Sequence, residues 1–329
     1  HVKDGELVID GRRPNGDPSD LDVLGNVFVG GPGSGAVAPL LALSNAAKGD
    51  IEGNLIIGRD GGGTVGLWGA AVTANPTQLD VVDPVPAGLC AIGREFYGGV
   101  SLDDGGLFRC RTIEVGGAPG TTGNGTLTVD GGMVRALDIL TVGQVGGGAG
   151  LVTMMNNALV ATNGTYITPN GAIDGSGTLA VNFFGLLNEG TLSPAINVLY
   201  PLTEDPSRSP GRAAAGAATL TVDGALTMGA TGRLEIPLAG PLPGEYGGLA
   251  VTGAASLDGV LSLEFENHYA PREGDLFTLL DVAQGITGVF AGVEVHGLAP
   301  GFEYEITVVN GQVVLDRDEA TLVCDFIAR

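Results

Sequence analysis

The sequence is short of several things at once. Charged residues make up only 16% of the chain and aromatic ones 5%, and lysine is all but absent. Surface helices are normally built from Glu, Lys and Arg, so this scarcity leaves little material for them. No stretch holds a helical apolar period for three turns; only the Ala-rich pieces near 36–48 and 212–218 approach it. No uninterrupted apolar run nears the ~18 residues of a membrane-crossing helix. Histidine is limited to His1, His268 and His296, none grouped with Cys or carboxylates at ligand spacing, which argues against a zinc centre. None stands beside a Ser or Cys nucleophile either. Bases are few: 15 Lys and Arg oppose 37 Asp and Glu, for a net charge of −22. Such a surface repels nucleic acid and anionic membranes, keeps a β-rich protein soluble, and attracts divalent cations.

What the chain has in excess is glycine, 58 residues, beside a hydrophobic content of 44%. That apolar share is too high for a disordered linker, and the glycines lack the three-residue period of collagen. They punctuate short runs of Val, Ile, Leu and Thr: "ELVIDG" (6–11), "NVFVGG" (26–31), "NLIIGRDGGG" (54–63), "TIEVGG" (112–117), "TLTVDGG" (126–132), "ILTVGQVGGG" (139–148) and "TLAVNFFG" (178–185). Short strands, tight Gly-containing turns and few aromatics predict an all-β fold, a β-solenoid with roughly 20 residues per coil. One motif, TLTVDG, occurs twice, at 126–131 and 219–224. Both copies read as structural units, with Asp130 and Asp223 forming the turn that ends a strand.

The predicted organisation is a solenoid over 1–193, interrupted by an irregular excursion at about 70–110 that carries Pro76, Pro84, Pro86, Cys90 and Cys110. A Pro-rich linker or long loop follows at 194–217. Residues 218–318 then form a β-rich C-terminal region, sandwich-like or capping, and 319–329 a terminal strand or tail. "LLNEGTLSP", "TLTVDGALTMGATGRLEIPLAG", "YGGLAVTGAASLDGVLSLEF" and "GDLFTLLDVAQGITGVFAGV", between about 186 and 314, resemble a known block. They are similar to the repeat-rich ends of autotransporter-type passenger domains and of secreted bacterial surface proteins with a PEP-CTERM-type sorting signal. "GTLTVDGGMVRALDILTVGQVGGGAG" is similar to their upstream coils. The resemblance implies a right-handed β-solenoid, an extracellular scaffold, and no shared catalytic residue. The ending "DRDEATLVCDFIAR" departs from it, being neither an outer-membrane barrel nor a sorting tail.

Three cysteines are present. Cys90 and Cys110 are placed to close a local disulfide, which leaves Cys324 as a free or intermolecular thiol. The first residue is His rather than Met, which suggests a processed, exported chain. Asp17, Asp20 and Asp22 in "GDPSDLD" and Asp316, Asp318 and Glu319 in "DRDE" offer hard oxygen ligands for Ca2+, though neither follows an EF-hand or calcium-roll pattern. Solvated acidic turns are the plainer reading of both. Asp103, Asp104 and Asp174 are the carboxylates that a polysaccharide-degrading β-helix would draw on, yet Asp103-Asp104-Gly reads first as a turn. Asn124 and Asn163 head Asn-Gly-Thr sequons, which are turns in a bacterium. "GGPGSGA" (30–36) and "GRDGGG" (58–63) lack the Lys-Ser/Thr of a phosphate loop and read as corners.

These features predict a non-enzymatic, secreted structural protein without a cofactor. It would self-assemble head to tail by strand addition into a filament, sheath, surface layer or biofilm matrix. The alternative is an adhesin that binds glycans or a receptor. A polysaccharide-degrading enzyme is the weaker third.

Overall fold

Alternation of aliphatic and polar residues, set off by Gly, yields strands throughout the described part of the chain. A computed structural model describes residues 6–10, 20–30, 40–68, 76–81, 88–103, 105–194, 219–242, 244–266, 269–272, 275–298, 305–309 and 312–316. Among these the fold is all-β, with no helix. The chain divides into two compact units, His1–Ile173 and Asp174–Arg329.

In the first unit each strand pairs in parallel with the strand three places later, giving three ladders. The first holds Glu6–Asp10, Leu40–Ser44, Gly63–Trp68, Gly98–Asp103, Gly125–Asp130 and the start of Gly150–Ile167. The second holds Asp20–Val23, Lys48–Ile51, Gln78–Val81, Leu107–Cys110, Met133–Ala136 and the middle of that long strand. The third holds Val27–Val29, Leu55–Ile57, Leu89–Ile92, Thr112–Val115, Ile139–Val142 and its end. Early partners lie further apart than the short coil expected from turn spacing: Asp20 faces Lys48, and Lys48 faces Gln78. The reason is that the chain visits all three ladders, with their connections, before it returns to the same one.

Parallel register stacks like on like. Leu43, Leu67, Leu102, Val129 and Met154 follow one another down the first ladder, all fully buried. Ile57, Ile92, Val115, Val142 and Ile167 do the same in the third. Each such side chain contributes about 1.5–3 kcal/mol by leaving water. The core is therefore a set of aliphatic columns, which explains why so few aromatics suffice.

Glycine is used for close approach as much as for turns. Gly63, Gly98, Gly125 and Gly150 stand in register where the chain enters the first ladder. A β-carbon on Gly63 would lie 2.4 Å from the Val29 carbonyl oxygen; on Gly125, 2.2 Å from that of Ile92; on Gly150, 2.0 Å from that of Val115. None of the four has a positive φ. Their requirement is steric: backbone from the preceding strands fills the space.

Within the expected excursion at about 70–110 the described residues hold four ladder strands, while 70–75, 82–87 and 104 lie outside the described residues. Gln78–Val81, Leu89–Ile92, Gly98–Asp103 and Leu107–Cys110 all keep register with their neighbours. Pro76 stands ahead of Gln78–Val81, where it takes no ladder hydrogen bond away; Pro84 and Pro86 lie outside the described residues. Cys90 and Cys110 are both fully buried and form a disulfide, Cα–Cα 6.3 Å, tying a third-ladder strand to a second-ladder strand.

The second unit repeats the scheme. One ladder runs through residues 177–180, Thr219–Asp223, Gly248–Val251 and Leu276–Val282. Another runs through residues 186–188, Leu226–Met228, Ala255–Leu257 and Ile286–Gly288. The third runs through Thr191–Ser193, Arg233–Leu238, Val260–Phe265 and Gly292–His296. The two TLTVDG copies thus occupy first-ladder positions in their respective units, and a side chain from the following strand set bonds each Asp. Asn156 Nδ2 donates to Asp130, and Thr252 Oγ1 to Asp223. Within 218–318 the parallel pairing continues to Gly292–His296. Pairing then turns antiparallel: Gln312–Asp316 lies against Leu276–Val282 and carries Glu305–Val309 on its other side. Most of the expected linker 194–217 and all of 319–329 lie outside the described residues.

Candidate functional site: an acidic row on the second ladder

Strand alternation sends Leu79, Phe108 and Val134 inward on the second ladder, so their neighbours point outward. Register then aligns Asp22, Asp50, Asp80, Arg109 and Arg135 in one row. Strand spacing of about 4.8 Å puts three carboxylates side by side, an arrangement that repels itself. Arg109 relieves one end only. Its Nη2 meets Asp80 Oδ2 at 2.5 Å, and Gln78 Nε2 donates to the same oxygen at 2.6 Å. Asp80 is 7% exposed, and its second oxygen, Oδ1, is buried with no hydrogen-bond partner among the described residues; the same holds for Arg109 Nε. Asp22 and Asp50 stay exposed. Partial burial, then the charges of Asp80 and Asp22, push the Asp50 carboxyl above its ordinary value, against the pull of Lys48 and Arg109. A groove of about 740 Å³ opens over the row, with Asp22, Leu24, Asp50, Glu52, Asp80 and Arg109 in its lining. The polar groups there are carboxylates and a guanidinium, suited to a hard cation or a hydroxyl-rich ligand rather than to zinc.

Of the residues singled out from the sequence, Asp20 and Asp22 share the strand Asp20–Val23 and, two residues apart, the same face; Asp22 aligns with Asp50 and Asp80, and Asp20 with Lys48. Asp17, Asp318, Glu319, Cys324, Asp104, His1 and His268 lie outside the described residues, as does the side chain of Asp316 on its strand. Asp103 accepts from Ser101 Oγ at 3.3 Å and faces Asp130 across the first ladder. Asp174 is buried, 3% exposed, in the second unit. His296 approaches Glu294 at 3.5 Å and Glu264 at 3.8 Å. Asn124 Oδ1 accepts the Ala149 N–H, and Asn163 Nδ2 donates to the Leu137 carbonyl at 2.6 Å. Both sequon side chains thus tie one strand set to another. Among the described residues no three of His, Cys, Asp and Glu close around one metal position.

Asp50 and Asp80 do not stand out in the sequence, because a single Asp before Val or Ile looks like any strand residue. The signal that marks them is the echo DLDV, KGDI, QLDV at 20–23, 48–51 and 78–81. No protein-family model and no curated protein matches this chain.

Proposed function

We propose that this chain is a secreted structural protein whose parallel ladders wind as a β-solenoid, and that copies assemble into an extracellular filament, sheath, surface layer or matrix. The observation that carries the reading is the pairing of every third strand, in register and in both units, around stacked aliphatic columns. Such a stack buries its core by repetition and leaves its outermost strands with unpaired backbone edges, the natural surfaces for strand addition. The buried Cys90–Cys110 disulfide supports an oxidising, extracytoplasmic setting.

Sedimentation velocity and negative-stain microscopy test the reading. Concentration-dependent polymers of uniform width are expected. A protein that remains monomeric at high concentration, with or without calcium and oxidant, overturns self-assembly.

A binding module is the second reading, and one observation favours it. Between the paired positions Ala180 and Leu186, residues 181–185 stand opposite only Gly224 and Ala225, and Phe183 and Phe184 are left 79% and 78% exposed. An exposed aromatic pair on a bulged corner is the kind of feature a partner or a glycan engages. Glycan-array binding lost in a Phe183→Ser/Phe184→Ser variant would favour it over the scaffold.

A further inference from the structure

We propose that the outer face of the first ladder in the first unit, around Trp68 and Tyr97, is a binding platform for a neutral polysaccharide. The inference goes beyond the scaffold reading and holds whether or not the protein polymerises. It is also separate from the Phe183–Phe184 corner, which belongs to the second unit.

The alternation that sends Val65, Leu67, Val100, Leu102, Leu127 and Val129 inward leaves every second residue of these strands facing outward. Register then lays the outward residues out as a grid. Trp68, Asp103 and Asp130 form one row, and Gly66, Ser101 and Thr128 the next. Thr64, Gly99 and Thr126 form the third. Strand and residue spacing make the grid about 10 Å by 13 Å, the footprint of a short run of sugar rings.

Two aromatic rings lie on it. Trp68 is the only tryptophan of the chain, and in a fold with an aliphatic core it stands outside, 38% exposed. Its benzo ring covers Gly66, where a β-carbon would lie 2.6 Å from Cζ2 and 2.7 Å from Cη2. Gly66 has no positive φ, so the ring above it, not the backbone, is what calls for glycine. The strand end that carries the ring is held in place, because the Trp68 carbonyl accepts the Asn45 N–H at 3.2 Å and the Thr77 hydroxyl at 3.0 Å. Tyr97 enters from the opposite end of the grid. Its hydroxyl lies 3.1 Å from Thr126 Oγ1 and 3.0 Å from where a β-carbon on Gly99 would sit. A glycine therefore stands beneath each aromatic side chain, and both lie close against the sheet.

The chemistry of the grid selects the ligand. The electron-rich face of an indole attracts the C–H-bearing face of a sugar ring. The hydroxyls of Thr64, Ser101 and Thr128 both donate and accept, as sugar hydroxyls do. Ser101 Oγ donates to Asp103 Oδ1 at 3.3 Å, and a carboxylate has about four acceptor positions, so Asp103 keeps capacity for a sugar hydroxyl. No Lys or Arg stands on the grid, so a polyanion finds no counter-charge there. The hydroxyls also break up the apolar surface that the centre of a protein interface needs.

Because Trp68 is the only tryptophan, the emission of the intact, oxidised protein reports on this face alone. The test titrates it with two soluble hexasaccharides, one of β-1,4-linked glucose and one of β-1,4-linked N-acetylglucosamine. A saturable change with a Kd below about 10⁻³ M is expected with at least one of them, and the one that binds names the sugar. By calorimetry, Trp68→Ala should weaken that binding about tenfold or more, the loss of a stacked ring. Asp103→Asn should weaken it about threefold or more, and it should fold at least as well as wild type because Asp103 faces the like charge of Asp130. Emission unchanged by both sugars, or changed only by dextran sulfate, would overturn the platform. So would an affinity unaltered in Trp68→Ala or, if that variant does not fold, in Asp103→Asn. Sugar binding lost in Phe183→Ser/Phe184→Ser but kept in Trp68→Ala would place it at the corner of the second unit and overturn it as well.

Discussion

Gly62 and Gly63 are neighbours in sequence, yet replacing each by alanine should have opposite effects. Neither has a positive φ, so backbone strain does not enter. A β-carbon on Gly62 meets only the Tyr97 carbonyl oxygen, at 3.8 Å, an ordinary contact. On Gly63 it would lie 2.4 Å from the Val29 carbonyl oxygen and 2.7 Å from its carbon. Separation to normal contact needs a shift of roughly 0.8 Å against backbone, and overpacking of that order costs about 1–3 kcal/mol. The Val29 carbonyl also accepts the Gly58 N–H at 2.9 Å, so its displacement strains a hydrogen bond worth about 1 kcal/mol. Gly63→Ala should therefore lose about 2–4 kcal/mol. Gly62→Ala should be neutral or gain about 0.5 kcal/mol through the lower entropy of its unfolded chain. Urea unfolding followed by far-UV circular dichroism reads both. If the two variants unfold within about 0.5 kcal/mol of each other, the spread of an ordinary surface substitution, the close-packed glycine column is not a determinant of this fold.

Two further consequences can be measured in the same assay. The Cys90–Cys110 bridge closes a loop of sequence separation 20, to which loop-closure entropy assigns about 3 kcal/mol. A Cys90→Ala/Cys110→Ala variant should lose at least that much, because two fully buried sulfurs go as well; a loss below about 1 kcal/mol would contradict the loop-closure account. Asp50 supplies a pH signature. Its surroundings hold its carboxyl above the ordinary value, so the folded state takes up this proton before the unfolded state does. Stability at this site therefore rises as pH falls through the raised value, and levels off below the unfolded value of about 4. In chelator-treated buffer, Asp50→Asn should be more stable than wild type at about pH 7, with the advantage fading towards about pH 4. An advantage independent of pH would mean that packing, not charge, is responsible.

Strand content can be read from the letters because the inward positions are so uniformly aliphatic. Runs such as TIEV at 112–115 and ILTV at 139–142 form strands with alternating burial, as their pattern demands. Spacing is harder to read, because the connections differ in length. A ten-letter stretch, GGPGSGAVAP, separates Val29 from Leu40, whereas only Arg111 separates Cys110 from Thr112. No fixed period survives that variation, so the return distance on the second ladder shows only when Asp20, Lys48 and Gln78 are seen opposite one another. The acidic row is hidden for the same reason: its members are far apart in sequence, and register alone brings them together. The glycines divide in a way that letters do not show. Gly131 and Gly224 adopt positive φ at turns after Asp, while Gly125, one residue after Asn124, is required by its neighbours' backbone.

The return distance along a ladder also has a mechanical meaning. A pull on the first unit along the stacking direction loads the inter-strand hydrogen bonds a few at a time, so strand sets should peel off in sequence. Releasing the chain between Asp20 and its partner Lys48 frees about 100 Å of extended backbone. When peeling reaches the set closed by Cys90 and Cys110, the residues between them stay tethered, and the step should shorten by about 70 Å until the bond is reduced. The disulfide would then act as a stop on unravelling, placed inside the stack where a reductant arrives only after the strands around it have opened.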